Sequence, residues 1–477
     1  MPDVAAVSEH FIPVPGKPVE RGTYAALLRN RYFLLIWLAQ ALSQTAQNII
    51  NFAVVVEVEN ISHSSTGVGL VIVAFSLPAV IFGAVAGSFC DRLNKRQILV
   101  TTNVLRAIVT VGYLLFGKSL LAIYLLSFLS SSISQFFAPA EAATLPTLVK
   151  RKHLLGAMSL FNLTFTLSQV AGFVVFGPTV YKLLGVSALY ISIVAAYSIA
   201  AVLVWFLPPG QASTISLRQA AALLVDFRGV QADVREVLAY LRGNVSVRLA
   251  IIQLTVALSF LMTLAALGPG FASRVLHLAA EDSGYILAPT GLGLVLGTVL
   301  LGQFGQRADR HMLTNVGMAL MGITMAVMVN LQTLVQLLMG SMPAAGHMPL
   351  PGFLSYLTAI GFLGFCLGWQ SALITVPAQT AIQEETEDHI RGRVFAVQFM
   401  IANTVQVVPI LLVGSLADLF GIVTVMTLLS LALLATGLLG SVVYWRSRRR
   451  LRAAQPPAAG ELPISSDAMA AGPPPRL

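Results

Sequence analysis

Charge is scarce in this chain. Only 10% of its 477 residues are Asp, Glu, Lys or Arg, whereas 56% are hydrophobic. A soluble domain carries about a quarter charged residues, so a solvated surface cannot be spread over this whole length. Cysteine is nearly missing as well. Cys90 sits in a polar loop and Cys366 in an apolar run, and no disulfide is expected between them. No Cys/His group has metal-ligand spacing, and no nucleophile–base motif occurs. The expectation is therefore no catalytic residue, no metal and no cofactor.

Apolar sequence is what the chain has in abundance, in runs of about 20 residues, each able to cross about 30 Å of hydrocarbon as a helix. Lipid offers the backbone no partners, so only helices or closed barrels span it, and these runs are continuous rather than alternating. The expected fold class is all-α integral membrane with twelve transmembrane helices. They fall at 32–57, 67–88, 98–116, 119–140, 155–181, 186–207, 247–269, 283–304, 313–331, 353–376, 394–417 and 421–445. About 30 mostly polar residues precede the first run, which argues against a cleaved signal peptide. The net charge of +9 is a topology signal rather than a nucleic-acid footprint. Lys and Arg gather on alternate loops and at both ends, while the opposite loops hold only Lys118, Lys182 and Arg274. The positive-inside rule then puts both termini in the cytoplasm.

The longest internal polar stretch, 208–246, opens with "LPPGQAST" and becomes amphipathic, with Val234, Val237, Leu238 and Leu241 on one helical face. It reads as a cytoplasmic linker helix lying on the membrane surface. Around it the expected organisation is a cytoplasmic N-terminal segment (1–30), a six-helix bundle (31–207), the linker (208–246), a second six-helix bundle (247–445) and a basic, then disordered tail (446–477). Residues 332–352, with three prolines, read as a short extracytoplasmic excursion. The halves echo each other. "GSFCDR" at 87–92 matches "GQRADR" at 305–310, and "PAEAA" at 139–143 matches "PAQTA" at 377–381. Internal symmetry about a central linker is the pattern of secondary transporters.

"GSFCDRLNKR" (87–96) resembles the signature loop of the major facilitator superfamily, Gly-x-x-x-Asp-Arg-x-Gly-(Arg/Lys)-(Arg/Lys). Asn94 stands where the pattern has its second glycine, and asparagine tolerates the left-handed backbone a glycine supplies there. "FFAPAEAATLPTLVKRKHLLGAMSLFN" (136–162) and "RGRVFAVQF" (391–399) are similar to the drug-efflux branch that includes macrolide exporters and the enterobactin exporter. "GFVVFGP" (172–178) resembles an antiporter Gly-Pro pattern, although small residues in a membrane helix also serve close packing. The resemblance implies a cytoplasmic latch between the halves. Gly87, Asp91 and Arg92 belong to it, with Gly305, Asp309 and Arg310 as the second-half counterpart. Asp91 would sit at the N-terminus of the eleventh span, whose free N–H groups attract a carboxylate. Arg92, Lys95 and Arg96 would bind headgroups or the acidic "EETED" (384–388), or serve topology alone, and Arg391 and Arg393 join the gating set.

Arg106 lies inside the third run, where a charge must be paired, wet or snorkelled to the headgroups. Gln40, Gln44, Gln47, Asn48 and Asn51 make a polar stripe on the first span. They line a substrate cavity or hydrogen-bond between helices. Asn162, Thr166 and Gln169 on the fifth span and Gln398 on the eleventh join the candidate cavity. Met318, Met321, Met325 and Met328 read as core or as a soft ligand surface. No Asp or Glu sits centrally in any predicted span, which leaves Glu57, Glu59 and Glu141 as carriers for a coupling proton.

The resemblance implies a secondary transporter of a prokaryotic plasma (inner) membrane. It would export amphipathic, drug- or macrolide-like molecules by alternating access coupled to proton influx. The expected partners are a small-molecule substrate, the bilayer and protons, with no nucleic acid and a monomeric chain. A same-fold carrier of a siderophore, lysolipid or nutrient is the alternative. A membrane enzyme or a non-transporting sensor would be a different class altogether, and no polar catalytic cluster or appended domain is visible for either.

Overall fold

The structure, a computed structural model, describes residues 23–208, 228–276, 278–279, 283–304, 309–331, 333–334, 337 and 350–454. Gly305 and most of the 332–352 segment lie outside the described residues, as do the linker's opening stretch and the tail from 455. The side chains of Gly87, Asp91, Arg92 and Arg391 lie outside them too. The described elements are all helical. They are α1 (Thr23–Arg29), α2 (Arg31–Ser62), α3 (Ser65–Arg92), α4 (Lys95–Phe116), α5 (Leu120–Leu148), α6 (Leu154–Gln169), a π-helical segment (Val170–Phe176) and α7 (Gly177–Trp205). They continue with α8 (Arg228–Gly243), α9 (Val245–Arg274), α10 (Gly284–Phe304), α11 (Arg310–Val329), α12 (Leu350–Glu385), α13 (Asp388–Val405), α14 (Val407–Phe420) and α15 (Ile422–Ala454).

Polar residues at the head of each apolar run decide where helices start. Asn30, Ser64, Ser119 and Asn244 each accept a backbone N–H from the first turn that follows, which satisfies donors a helix leaves free. Asn94 does the same for α4, accepting from the N–H of Arg96 (3.1 Å) and Gln97 (3.4 Å). This corrects the expectation of a left-handed turn there, since Asn94 has φ −67° and ψ 110°. It is a helix cap. In the second half Asp309 plays that part, accepting from Met312 N–H (3.3 Å) at the head of α11. The backbone therefore pairs Asp309 with Asn94, whereas Asp91 lies in the last turn of α3.

Among the described residues nine stretches are long and apolar enough to cross a membrane. Two features separate this from the twelve expected. The run Gly156–Trp205 spans 50 residues without a break in apolarity, although Gly185 interrupts the helical backbone at φ 82°. The amides of α2 and the shortness of the apolar stretch Leu287–Leu301 keep those two segments out of the count.

α2 packs on α6 and α7, α4 on α5 and α7, and α3 on α5. Later in the chain α12 packs on α9, α10 and α11, and α11 on α15. Met318, Met321, Met325 and Met328 are buried there with Phe260, Leu264 and Phe271, so they are core. The two sets meet where α3 packs on α13 and α14, α9 on α2 and α3, and the π-helical segment on α10. The "GFVVFGP" glycines serve a different approach, that of the π-helical segment and the start of α7 to α2. A Cβ on Gly172 would stand 2.6 Å from the Thr45 carbonyl oxygen, and one on Gly177 2.8 Å from Phe52 Cδ1.

α8 rests on protein rather than on membrane alone. Val237 and Leu241 are buried against Val247, Ala250, Ala381, Ile382 and Val394, and the Tyr240 hydroxyl donates to the Glu385 carbonyl (3.0 Å). Glu236 pairs with Arg393. Of the predicted apolar face, Leu238 stays exposed.

α10 and α12 approach so closely that a Cβ on Gly368 would strike the Thr290 carbonyl, and one on Gly293 that of Phe365. Gly368→Val should cost about 1–3 kcal/mol, the usual range for overpacking, and lower the thermal midpoint of the detergent-purified protein. Gly268→Ala, with nothing within 4 Å of the new Cβ, should leave the midpoint unchanged or raise it.

Candidate functional site

The first candidate site is a charged cluster that joins distant parts of the chain at one end of the molecule. Asp418, near the end of α14, lies over the first turn of α3. Its carboxylate accepts from the backbone N–H of Ser65 (2.7 Å) and Thr66 (2.9 Å) and from the hydroxyls of Ser64 and Thr66 (both 2.7 Å). A residue more than 350 positions away thus caps α3 in trans, where free N–H groups and the helix dipole favour a negative charge. Arg274, the last residue of α9, bridges two carboxylates. It donates from Nε and Nη2 to Glu59 (3.1 and 3.0 Å) and from Nη1 to Asp418 (3.3 Å). Ser273 adds a hydroxyl to Glu59 (3.0 Å), and Arg274 a further bond to Ser65 Oγ (2.9 Å). Glu59 is 1% exposed. One guanidinium faces two carboxylates, and the α3 N-terminus supplies the remaining positive field. Gly414 lets α14 approach, because a Cβ there would be 2.8 Å from the Ser65 carbonyl oxygen.

A second set of polar groups, part buried and part half-buried, lies between α2, α4, α5 and α7. Gln47 Oε1 accepts from the hydroxyls of Ser134 (3.0 Å) and Tyr197 (3.2 Å), and its Nε2 donates to Asn51 (3.2 Å). Ser43 donates to Asn103 (2.8 Å). Arg106 is 3% exposed, so it does not snorkel; its guanidinium lies over the rings of Phe137 (4.6 Å) and Tyr197 (5.6 Å). Glu141, 6% exposed, faces it electrostatically without a direct ion pair. Arg106 Nε and Glu141 Oε1 both lack a hydrogen-bond partner. Cation–π contact and a nearby carboxylate are what keep a buried guanidinium tolerable.

The other predicted residues divide. Gln40 donates to the Phe161 carbonyl (3.4 Å) and Asn48 to that of Gln44 (2.8 Å). Much of the stripe is thus bound to its neighbours. Asn162, Thr166 and Gln169 are exposed, and Gln398 is buried. Glu57 accepts from the Tyr181 hydroxyl (2.5 Å). Of the loop cations, Arg96 stacks on Trp205 (5.2 Å), whereas Glu384 of the acidic stretch is paired with Arg310. Lys95 opens α4. Asp418, Ser64, Ser65, Thr66 and Ser273 were not among the sequence candidates, and Arg274 entered only as a topology cation. The available signal was Arg274 itself, a cation on a face nearly bare of them, with Glu59 and Asp418 at the matching ends of two apolar runs.

With this geometry in place, comparison with known proteins decides the family. The profile described as the Major Facilitator Superfamily matches residues 36–350. The chain belongs to that superfamily. As a Major Facilitator Superfamily protein it is a multi-pass membrane transporter, not an enzyme. An uncharacterized MFS-type transporter, YfiS of Bacillus subtilis, is 23% identical over 77% of this chain and 83% of its own length. Macrolide efflux protein A of Streptococcus pyogenes is 21% identical over 82% of this chain and 90% of its own. The enterobactin exporter EntS of Citrobacter koseri is 28% identical over 29% of this chain and 34% of its own. The solved nucleoside transporter NupG has the same fold, with TM-score 0.64 and 13% identity over 86% of this chain and 98% of that one.

Removing the trans cap should loosen the contact between α3 and α14. Val68, fully buried just beneath it, can be replaced by Cys in a Cys90→Ser/Cys366→Ser background. Asp418→Ala should then speed labelling of that thiol by a membrane-impermeant maleimide at least about tenfold, the effect of losing charge-assisted hydrogen bonds worth roughly 1.5–3 kcal/mol. Equal labelling rates would show that the cluster does not hold that contact shut.

Proposed function

We propose that this transporter exports amphipathic, macrolide-like small molecules by alternating access, driven by inward proton movement. It would do so as two pseudo-symmetric bundles of six spans, with both termini cytoplasmic. The observation that carries the reading is the Glu59–Arg274–Asp418 cluster at one end of α3. At 28 residues, α3 is about 42 Å long, so the cluster and the "GSFCDRLNKR" loop stand at opposite faces of the molecule. A cluster joining α2 and α3 to α9 and α14 closes the face away from the basic loops, the arrangement of a carrier that receives cargo from the cytoplasm. In the opposite state the cluster would part and Asp91 would cap α13, as Asp418 caps α3 here. The cargo class rests on likeness to the macrolide efflux protein, which extends over most of both chains.

Arg106 and Glu141 are the proton-coupling pair in this reading. Both are buried, each keeps an unpartnered polar atom, and a carboxylate beside a fixed cation changes charge as its surroundings wet and dry. Glu59 serves the gate, since Arg274 holds it at two atoms. The likeness to the enterobactin exporter supports a second reading, with a siderophore such as enterobactin as cargo in the same site.

In proteoliposomes with an imposed pH gradient, a macrolide should accumulate against its concentration gradient. Glu141→Gln should abolish the dependence on that gradient while leaving downhill exchange measurable. Asp91→Asn should slow turnover more than it weakens binding. Transport by the unaltered protein that ignores the pH gradient would remove the proton-coupling claim. Transport of enterobactin but not of a macrolide would favour the second reading.

A further inference from the structure

The linker helix closes a groove as well as joining two parts of the chain. Between α8, α9 and α13 lies a space of about 390 Å³ walled by Leu238, Ile251, Ile252, Val256 and Val405, with Arg242 and Arg248 also in its lining. The two arginines sit on either side of Asn244, the residue that joins α8 to α9. On α9, Arg248, Ile252 and Val256 follow one another at intervals of four, so the wall runs about 12 Å from its charged edge into the apolar zone.

Neither arginine takes part in an ion pair among the described residues, although other cations at this end do. Arg393 holds Glu236 and Arg310 holds Glu384. Among the described residues, then, two guanidinium groups without an ion-pair partner stand at the edge of an apolar trough. The outer side of that trough is exposed and apolar. Val405 is exposed, and the exposed stripe continues along α14 through Val408, Leu412, Leu416 and Leu419, at the spacing of one helical face. Such a lining is unfavourable against water and neutral against acyl chains.

We propose that the groove binds one anionic phospholipid of the leaflet that meets the linker. Its phosphate lies between Arg242 and Arg248, and an acyl chain runs along Ile252, Val256 and Val405. Guanidinium groups match phosphate oxygens in charge and fork geometry, and their stems reach a headgroup from an apolar wall. Such a lipid would tie the linker helix to the ends of α9 and α13.

The test is native mass spectrometry of the full-length protein released from detergent micelles, with phosphatidylglycerol or phosphatidylcholine added. One phosphatidylglycerol should be retained in preference to phosphatidylcholine. In Arg242→Gln/Arg248→Gln its apparent affinity should fall about 30-fold, at roughly fivefold per surface arginine, and Arg242→Lys/Arg248→Lys should restore most of it. Ile252→Trp, which fills the trough and keeps both arginines, should also expel the lipid. An unchanged thermal midpoint in each variant separates this from misfolding. Equal retention of the two lipids would overturn the proposal. So would retention unchanged in the glutamine variant, or an Ile252→Trp variant that loses a dimer rather than a lipid.

Discussion

Hydrocarbon gives a charge or an amide no partner except another part of the chain, and the polar residues of this protein are arranged around that constraint. Asp418 meets it by occupying the N-terminus of α3, where several donors converge on one carboxylate. The arrangement is strong while the two surfaces touch. Once they part, water can satisfy every group in it, because Asp418 and Arg274 are only partly buried. A contact with that balance suits a gate better than a scaffold, since a fully buried cluster would resist opening. Glu59 departs from the pattern at 1% exposure, and its two-point contact with Arg274 and the Ser273 hydroxyl answer for its burial.

The same logic applies with opposite polarity at the far end of α3. That helix ends in Asp91 and Arg92, and it packs along both α13 and α14. α3 and the α13–α14 pair run side by side so that the start of one lies near the end of the other. α3 ends at Asp91 and Arg92 and α14 ends just beyond Asp418, whose carboxylate occupies the N–H groups at the start of α3. Glu387, at the head of α13, contributes no side-chain cap to that first turn. In the proposed cycle these helices would act as a rocker with one latch at each end, and only one latch could be closed at a time if the halves tilt as rigid bodies.

The fold class was legible because the bilayer imposes so coarse a rule. Runs of apolar residues read as helices, and small polar residues at their heads became the caps of α2, α3, α5 and α9. The internal repeat was legible at the level of motif but not of register. Pro139 and Pro377 both fall inside helices, as their matching motifs suggest. Asp91 and Asp309 nevertheless differ in role, because Asp309 stands immediately before a helix and is drawn into capping it. The amide stripe of α2 was legible as a stripe, but its direction was not. Gln47 meets Ser134 and Tyr197, and nothing local in the sequence announces either partner. Asp418 escaped for the same reason, since its partners lie at the opposite end of the chain. Helical periodicity reports a face, while a gate is a relation between faces.

α2 makes the link between gate and interior a mechanical one. It is a single helix from Arg31 to Ser62 and carries the half-buried amides Gln47 and Asn51 as well as the Glu59 carboxylate of the proposed gate. From Gln47 to Glu59 is about 18 Å along its axis, with no proline or helix break between them. A tilt that releases Glu59 from Arg274 therefore moves Gln47 against Tyr197, whose ring lies over the Arg106 guanidinium. In the proposed cycle the polar layer around Arg106 and Glu141 would change geometry between the two positions of the gate. A buried carboxylate whose surroundings change in this way is the physical requirement for tying a proton to a conformational cycle, and the stiffness of α2 would be enough to carry the change from Glu59 to Gln47.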